Sequence, residues 1–191
     1  MACFASDSIL AVGDRRTDDK HKLTLFDTTT GLQRWEKVSP TRNWMDEFFV
    51  GCAAFSQDRA TLAAASFYKS KAKLFDAATG ELHTEINLRP DYQVIAATCS
   101  HDSFLFITIA EPLRRVLAIT SFSTNGTHIE RNELDLYGLP LGHRHHFMSA
   151  FSRDASIMVI QVVDTSRCNK IALYDVATGK LRLKKRPPGR G

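Results

Sequence analysis

The chain of 191 residues has only 4 cysteines, Cys3, Cys52, Cys99 and Cys168, and no two of them stand at zinc-ligand spacing. A metal-ordered finger and a densely cross-linked small fold are therefore excluded. Three of the thiols lie in or beside small-residue segments, where cysteine serves as a compact buried apolar group. No apolar run is long enough to span a bilayer. The N-terminus lacks a basic region and carries an early acid, Asp7, so a secretory leader is not expected. Together these absences point to a cytoplasmic or nuclear chain with no membrane partner.

Chemistry-bearing motifs are scarce as well. There is no Gly-rich phosphate loop, no Gly-x-Ser-x-Gly elbow and no carboxylate pair set apart from turn positions. His143, Arg144, His145 and His146 form the one histidine cluster, with no acid or cysteine beside it, and neither a metal nor another cofactor is expected. An excess of charge of either sign is missing from the body of the chain. The formal net charge is +4, and Lys184, Lys185, Arg186 and Arg190 account for all of it. With Pro187, Pro188 and Gly189 among them, residues 184–191 read as a disordered basic tail.

What the chain does have is one phrase written four times. Cys3-Phe4-Ala5-Ser6-Asp7, Ala54-Phe55-Ser56-Gln57-Asp58, Thr98-Cys99-Ser100-His101-Asp102 and Ala150-Phe151-Ser152-Arg153-Asp154 are copies of its first half. Their period of roughly 50 residues is that of an array of supersecondary units. The second half recurs as Leu25-Phe26-Asp27-Thr28-Thr29-Thr30-Gly31, Leu74-Phe75-Asp76-Ala77-Ala78-Thr79-Gly80 and Leu173-Tyr174-Asp175-Val176-Ala177-Thr178-Gly179. In the third copy it has decayed to Ile119-Thr120-Ser121-Phe122-Ser123-Thr124-Asn125-Gly126.

Each copy reads as four short strands. In the second, strands are expected over 50–56, 61–67, 72–76 and 82–88, joined by turns at 57–60 and 77–80. Asp27, Asp76 and Asp175 open their turns, because an aspartate bonds its own backbone two residues on. Gly31, Gly80 and Gly179 close them with a positive φ. Four-stranded units at this spacing predict an all-β fold, a β-propeller-like array of about four antiparallel blades. The blades are placed at about residues 1–38, 49–88, 94–136 and 147–183. Ala53, Ala54, Ala96, Ala97, Ser149 and Ala150 would sit on the innermost strands, where converging sheets leave little room.

Gly142-His143, Phe147, Ala150-Phe151-Ser152-Arg153-Asp154 and Ile171-Ala172-Leu173-Tyr174-Asp175-Val176-Ala177-Thr178-Gly179-Lys180 resemble one full WD repeat, with Tyr-Asp in place of Trp-Asp. Phe26-Asp27 and Phe75-Asp76 carry the resemblance into the first two units. WD-repeat propellers close with more blades than four, so the likeness implies an open arc. Its missing blades would come from a longer parent chain or from self-association. It also implies a structural role for His143 and a non-enzymatic interaction scaffold. Asp-x-x-Thr-Gly occurs in quinone-holding propellers too, which makes a fragment of a quinone-dependent oxidoreductase one alternative.

Charge sharpens the scaffold reading. Connections between second and third strands all leave one side of a propeller, and they carry Arg15, Arg16, Lys69, Lys71, Arg114, Arg115 and Arg167, with Lys20, Lys22 and Lys170 nearby. Asp14, Asp18, Asp19, Glu111 and Asp164 offset only part of this. The turns of the other side hold Asp7, Asp27, Asp58, Asp76, Glu81, Asp102, Asp154 and Asp175 against Arg59, Arg153 and Lys180. The expected partner is thus an acidic or phosphorylated protein segment, with a nucleic-acid backbone as the alternative. Trp35, Trp44, Phe48 and Phe49 are the candidate aromatic anchors, and Trp44, between Asn43 and Met45, is the one expected to be exposed.

Overall fold

The computed structural model describes residues 2–6, 9–15, 21–38, 50–66, 71–88, 92–101, 103–110, 117–134, 146–152, 154–163 and 170–185. They form four antiparallel sheets, each a meander of consecutive strands. Sheet 1 is β1 (Ala2–Ser6), β2 (Ile9–Arg15), β3 (His21–Asp27) and β4 (Gln33–Val38). Sheet 2 is β5 (Val50–Phe55), β6 (Thr61–Ser66), β7 (Lys71–Asp76) and β8 (Leu82–Asn87). Sheet 3 is β9 (Tyr92–Ser100), β10 (Ser103–Ala110), β11 (Leu117–Ser123) and β12 (His128–Glu133). Sheet 4 is β13 (His146–Phe151), β14 (Ile157–Val163), β15 (Lys170–Asp175) and β16 (Leu181–Lys185). Strand β16 takes in the first two residues read as the tail, and residues 186–191 lie outside the described part.

The first strand of each sheet packs on the first strand of the next, β1 on β5, β5 on β9 and β9 on β13. Small residues make that convergence possible: Ala53, Ala54 and Ala96 are buried there. Because side chains alternate along a strand, each inner sheet feeds two cores. Ala53, Phe55, Leu62, Ala64 and Phe75 of sheet 2 meet Ala11, Leu23, Leu25 and Trp35 of sheet 1. The opposite side of sheet 2, with Ala54, Ala63, Ala72 and Leu74, meets Val94, Phe104, Phe106 and Phe122 of sheet 3. Leu105, Ile107, Ile109 and Ile119 of sheet 3 then meet Met158, Ile160, Val162 and Tyr174 of sheet 4. Each large apolar side chain buried this way contributes about 1.5–3 kcal/mol, so the wedging of sheet on sheet, not any one sheet, holds the array.

Trp35 belongs to the first of these cores. It is 8% exposed, its ring lies 6.2 Å from that of Phe75, and its Nε1–H donates to the Ala77 carbonyl at 3.0 Å. It is therefore a packing residue, not an exposed anchor, because pairing with Leu25 puts it on the covered side of sheet 1. Trp44, Phe48, Phe49 and His143 lie outside the described residues.

Candidate partner-binding surfaces

One end of the stack is built from turns that satisfy themselves. Asp27 Oδ1 accepts from the backbone N–H of Thr29 and of Thr30, each at 3.0 Å. Asp76 repeats the arrangement with Ala78 at 2.9 Å and Thr79 at 2.7 Å, and Asp175 binds the Thr178 N–H at 2.9 Å. Gly31, Gly80 and Gly179 donate to the same aspartates' carbonyls and adopt positive φ. In the other turn type, the Ser56 hydroxyl donates to Asp58 at 2.6 Å and Ser152 to Asp154 at 2.6 Å. The two types share one end: the Ala77 N–H donates to the Ala60 carbonyl at 2.8 Å, and Val176 to Ser156 at 3.0 Å.

These contacts hold the carboxyls in their charged form. The Arg34 guanidinium, aided by turn N–H groups, lowers Asp27 to about 2. Arg182 lowers Asp175 to about 2, and the Ser152 hydroxyl does the same for Asp154. Asp58 and Asp76 are lowered as well, chiefly by Ser56 and by the Thr79 N–H. Arg34 and Arg182 were not among the residues singled out from sequence, although each follows its turn aspartate by the same interval. His83 stands at that place after Asp76, 3.8 Å from its carboxylate. The acid end is therefore partly neutralised by cations one strand away.

At the opposite end β2 turns into β3, β6 into β7, β10 into β11 and β14 into β15. Arg16, Lys69, Arg114, Arg115 and Arg167 of those connections lie outside the described residues, and Arg15 is described only as backbone at the end of β2. Lys71, at the start of β7, is described and pairs with Glu85, which also faces Lys73 at 3.8 Å. Among the described residues no three His, Cys, Asp or Glu side chains group as metal ligands, and no helix is long and apolar enough to cross a membrane.

The outer sides of sheets 1 and 4 form the third surface. Leu173 pairs with Val159 and Leu183, and Ile171 with Gln161, so these residues share the side of sheet 4 that faces away from sheet 3. Met148, opposite Gln161, is on that side and 62% exposed, and Leu183 is 43% exposed. On sheet 1 the side facing away from sheet 2 carries Leu10, Val12 and Phe26, all only partly buried.

No family model and no curated protein matches the sequence. Solved structures do match in shape. Hydrazine synthase of Kuenenia stuttgartiensis superposes with a TM-score of 0.68 at 14% identity, over 96% of this chain and 47% of that one. The Cps50 (Swd1) β-propeller domain of Myceliophteria thermophila gives 0.65 at 14%, over 97% and 55%. Quinohemoprotein alcohol dehydrogenase of Comamonas testosteroni gives 0.59 at 14%, over 94% and 33%. The fold is thus that of a partial β-propeller, and each sheet is a blade. The chain spans between a third and about half of the length of these structures. Enzymes and a propeller domain of another kind stand side by side among them, so the fold by itself assigns no activity.

Proposed function

We propose that the chain is a non-enzymatic interaction platform of the WD-repeat type, which takes an acidic or phosphorylated protein segment at the end where the second and third strands of each blade are joined. The observation that carries this reading is the sorting of turns and strand connections to opposite ends, with the acids in the turns and most of the bases in the connections. The aspartates of the turn end are spent on their own backbone, on Ser56 and Ser152, and on Arg34 and Arg182. The bases of the other end sit in four connections that leave equivalent strand ends. A summed positive field there attracts an anionic chain without a dedicated pocket. Asp-x-x-Thr-Gly, the motif behind the oxidoreductase alternative, is occupied by turn hydrogen bonds in the first, second and fourth blades, which supports a structural role for it.

Fluorescence anisotropy with a short Glu-rich phosphoserine peptide tests the reading, with a single-stranded RNA of matched charge as the second probe. Changing Arg15, Arg16, Lys69, Lys71, Arg114 and Arg115 to Ser is expected to weaken peptide binding about tenfold or more and to flatten its salt dependence. Equal binding by the two chains would overturn the proposal. Tighter binding of RNA than of peptide would replace it with the nucleic-acid alternative.

A further inference from the structure

The last turn of blade 3 follows the plan of the Ser-x-Asp turns, with an amide where they hold an acid. The Ser56 and Ser152 hydroxyls donate to Asp58 and Asp154, and the N–H two residues past each aspartate donates to the same carboxylate oxygen, Ala60 at 3.0 Å and Ser156 at 3.1 Å. In blade 3 the Ser123 hydroxyl donates to Asn125 Oδ1, and the Thr127 N–H donates to it at 3.0 Å. The next residue holds a positive φ in all three turns, Arg59, Ala155 and Gly126. The turn has a place for aspartate at 125, and asparagine stands there.

Glycine at 126 is fixed by packing. Its φ is 89°, and a Cβ there would come 2.7 Å from Thr84 of blade 2. Asn125-Gly126 is the one Asn-Gly pair in the chain. Such a pair carries its own chemistry, because no side chain shields the glycine nitrogen from the amide beside it. The Gly126 nitrogen attacks Asn125 Cγ, a new C–N bond forms, the Cγ–Nδ2 bond breaks, and ammonia leaves with the Gly126 proton. Water then opens the five-membered imide at one of its two carbonyls and gives aspartate or isoaspartate.

The folded turn engages both reactants elsewhere. The Gly126 N–H donates to the Ser123 carbonyl at 2.8 Å, and the exposed Asn125 side chain is held by Ser123 and Thr127. We propose that Asn125-Gly126 is a self-modification site that the folded turn holds shut and that each opening of the turn exposes. Conversion to aspartate leaves the turn intact, since the carboxylate fills the place as Asp58 and Asp154 do. Conversion to isoaspartate adds a main-chain carbon before Gly126 and displaces it from its seat against Thr84, so the seam between blades 2 and 3 loosens. The site therefore records turn opening in one direction only. It lies at the turn end, away from the basic connections, and is independent of partner binding there.

Peptide mapping by mass spectrometry on the whole chain, aged at neutral pH, tests the proposal, with isoaspartate methyltransferase labelling as the second readout. In guanidinium chloride Asn125 is expected to convert at least about tenfold faster than in the folded chain, as reactions that pass through local opening do. In the unfolded chain it is also expected to outrun Asn132, which precedes Glu133. Ser123→Ala removes one hold on the amide and is expected to speed conversion of the folded chain about two- to fivefold while leaving the unfolded rate unchanged. Circular dichroism confirms that this variant folds, and the comparison of folded with unfolded chain needs no variant. Equal rates in the two states would overturn the proposal, and so would conversion at Asn125 no faster than at Asn132. Asn125→Asp is expected to melt with the unaltered chain and the isoaspartate fraction to melt lower; an isoaspartate fraction that melts with the unaltered chain would overturn the loosening of the seam.

Discussion

Gly179 stands where a side chain would strike the backbone of the neighbouring blade, and Gly31 holds the same φ region in open space. The pair separates two costs that usually come together. Gly31→Ala is expected to cost about 1–2 kcal/mol, the ordinary penalty of a left-handed alanine. Gly179→Ala carries that penalty and a further ~1–3 kcal/mol of overpacking against the Glu133 carbonyl. Chemical denaturation of the two variants measures both; equal losses would show that the glycine contact between blades is loose. The turn glycines were legible in the sequence because Asp and Thr bracket them. Their second role was not, since the atoms they touch belong to the previous blade. Trp35 shows the converse: strand parity with Leu25 marks it as a core residue, yet its place just before a long connection made it look like an anchor.

At the scale of the element, the third copy departs from the others in its final turn. Ser123 N–H donates to the Thr127 carbonyl at 2.9 Å, whereas Asp27 N–H reaches Leu32 at 2.8 Å, so this turn is one residue shorter. Asn125 Oδ1 accepts the Thr127 N–H at 3.0 Å, and the Ser123 hydroxyl bonds Asn125, which is the pattern of Ser56 with Asp58. What reads in sequence as decay is therefore a substitution of one turn type for another. The aspartate turns also set a pH response. Asp27, Asp154 and Asp175 sit near 2 in the folded chain and at an ordinary 3.8 outside it. Their depressed values add stability above about pH 4, and that stability is lost as pH falls through about 2. The melting temperature is expected to decline between pH 4 and 2. The Asp27→Asn, Asp154→Asn, Asp175→Asn chain should decline less steeply, because its amides still accept from the turn N–H groups but do not titrate. Parallel profiles would assign the acid response to other carboxyls.

Over the whole molecule, stability is a chain of blade-to-blade interfaces. Blades 2 and 3 are covered on both sides, and blades 1 and 4 on one. Amide exchange is expected to be fastest in β1–β4 and β13–β16 and slowest in β6, β7 and β10, as nearest-neighbour coupling requires. Uniform protection across the four blades would mean that the arc unfolds as a single unit. The gathering of the turn aspartates also belongs to this scale, because the meander sends like turns of every blade to one end. Position in sequence forecast the shared end of Asp27, Asp58, Asp76, Asp154 and Asp175, and it overstated the acidity of that end by leaving out Arg34 and Arg182.

Strand spacing, the Ser-x-Asp and Asp-x-x-Thr-Gly turns and the fourfold repeat determined the sheets, their internal order and the shared ends, since alternation and turn chemistry act between residues close along the chain. Which sides of those sheets are covered was decided only by the tertiary structure. That outcome depends on contacts between blades, such as Gly179 on Glu133 and Trp35 on Ala77, made by residues 46 and 42 positions apart whose meeting is set by how successive wedges stack.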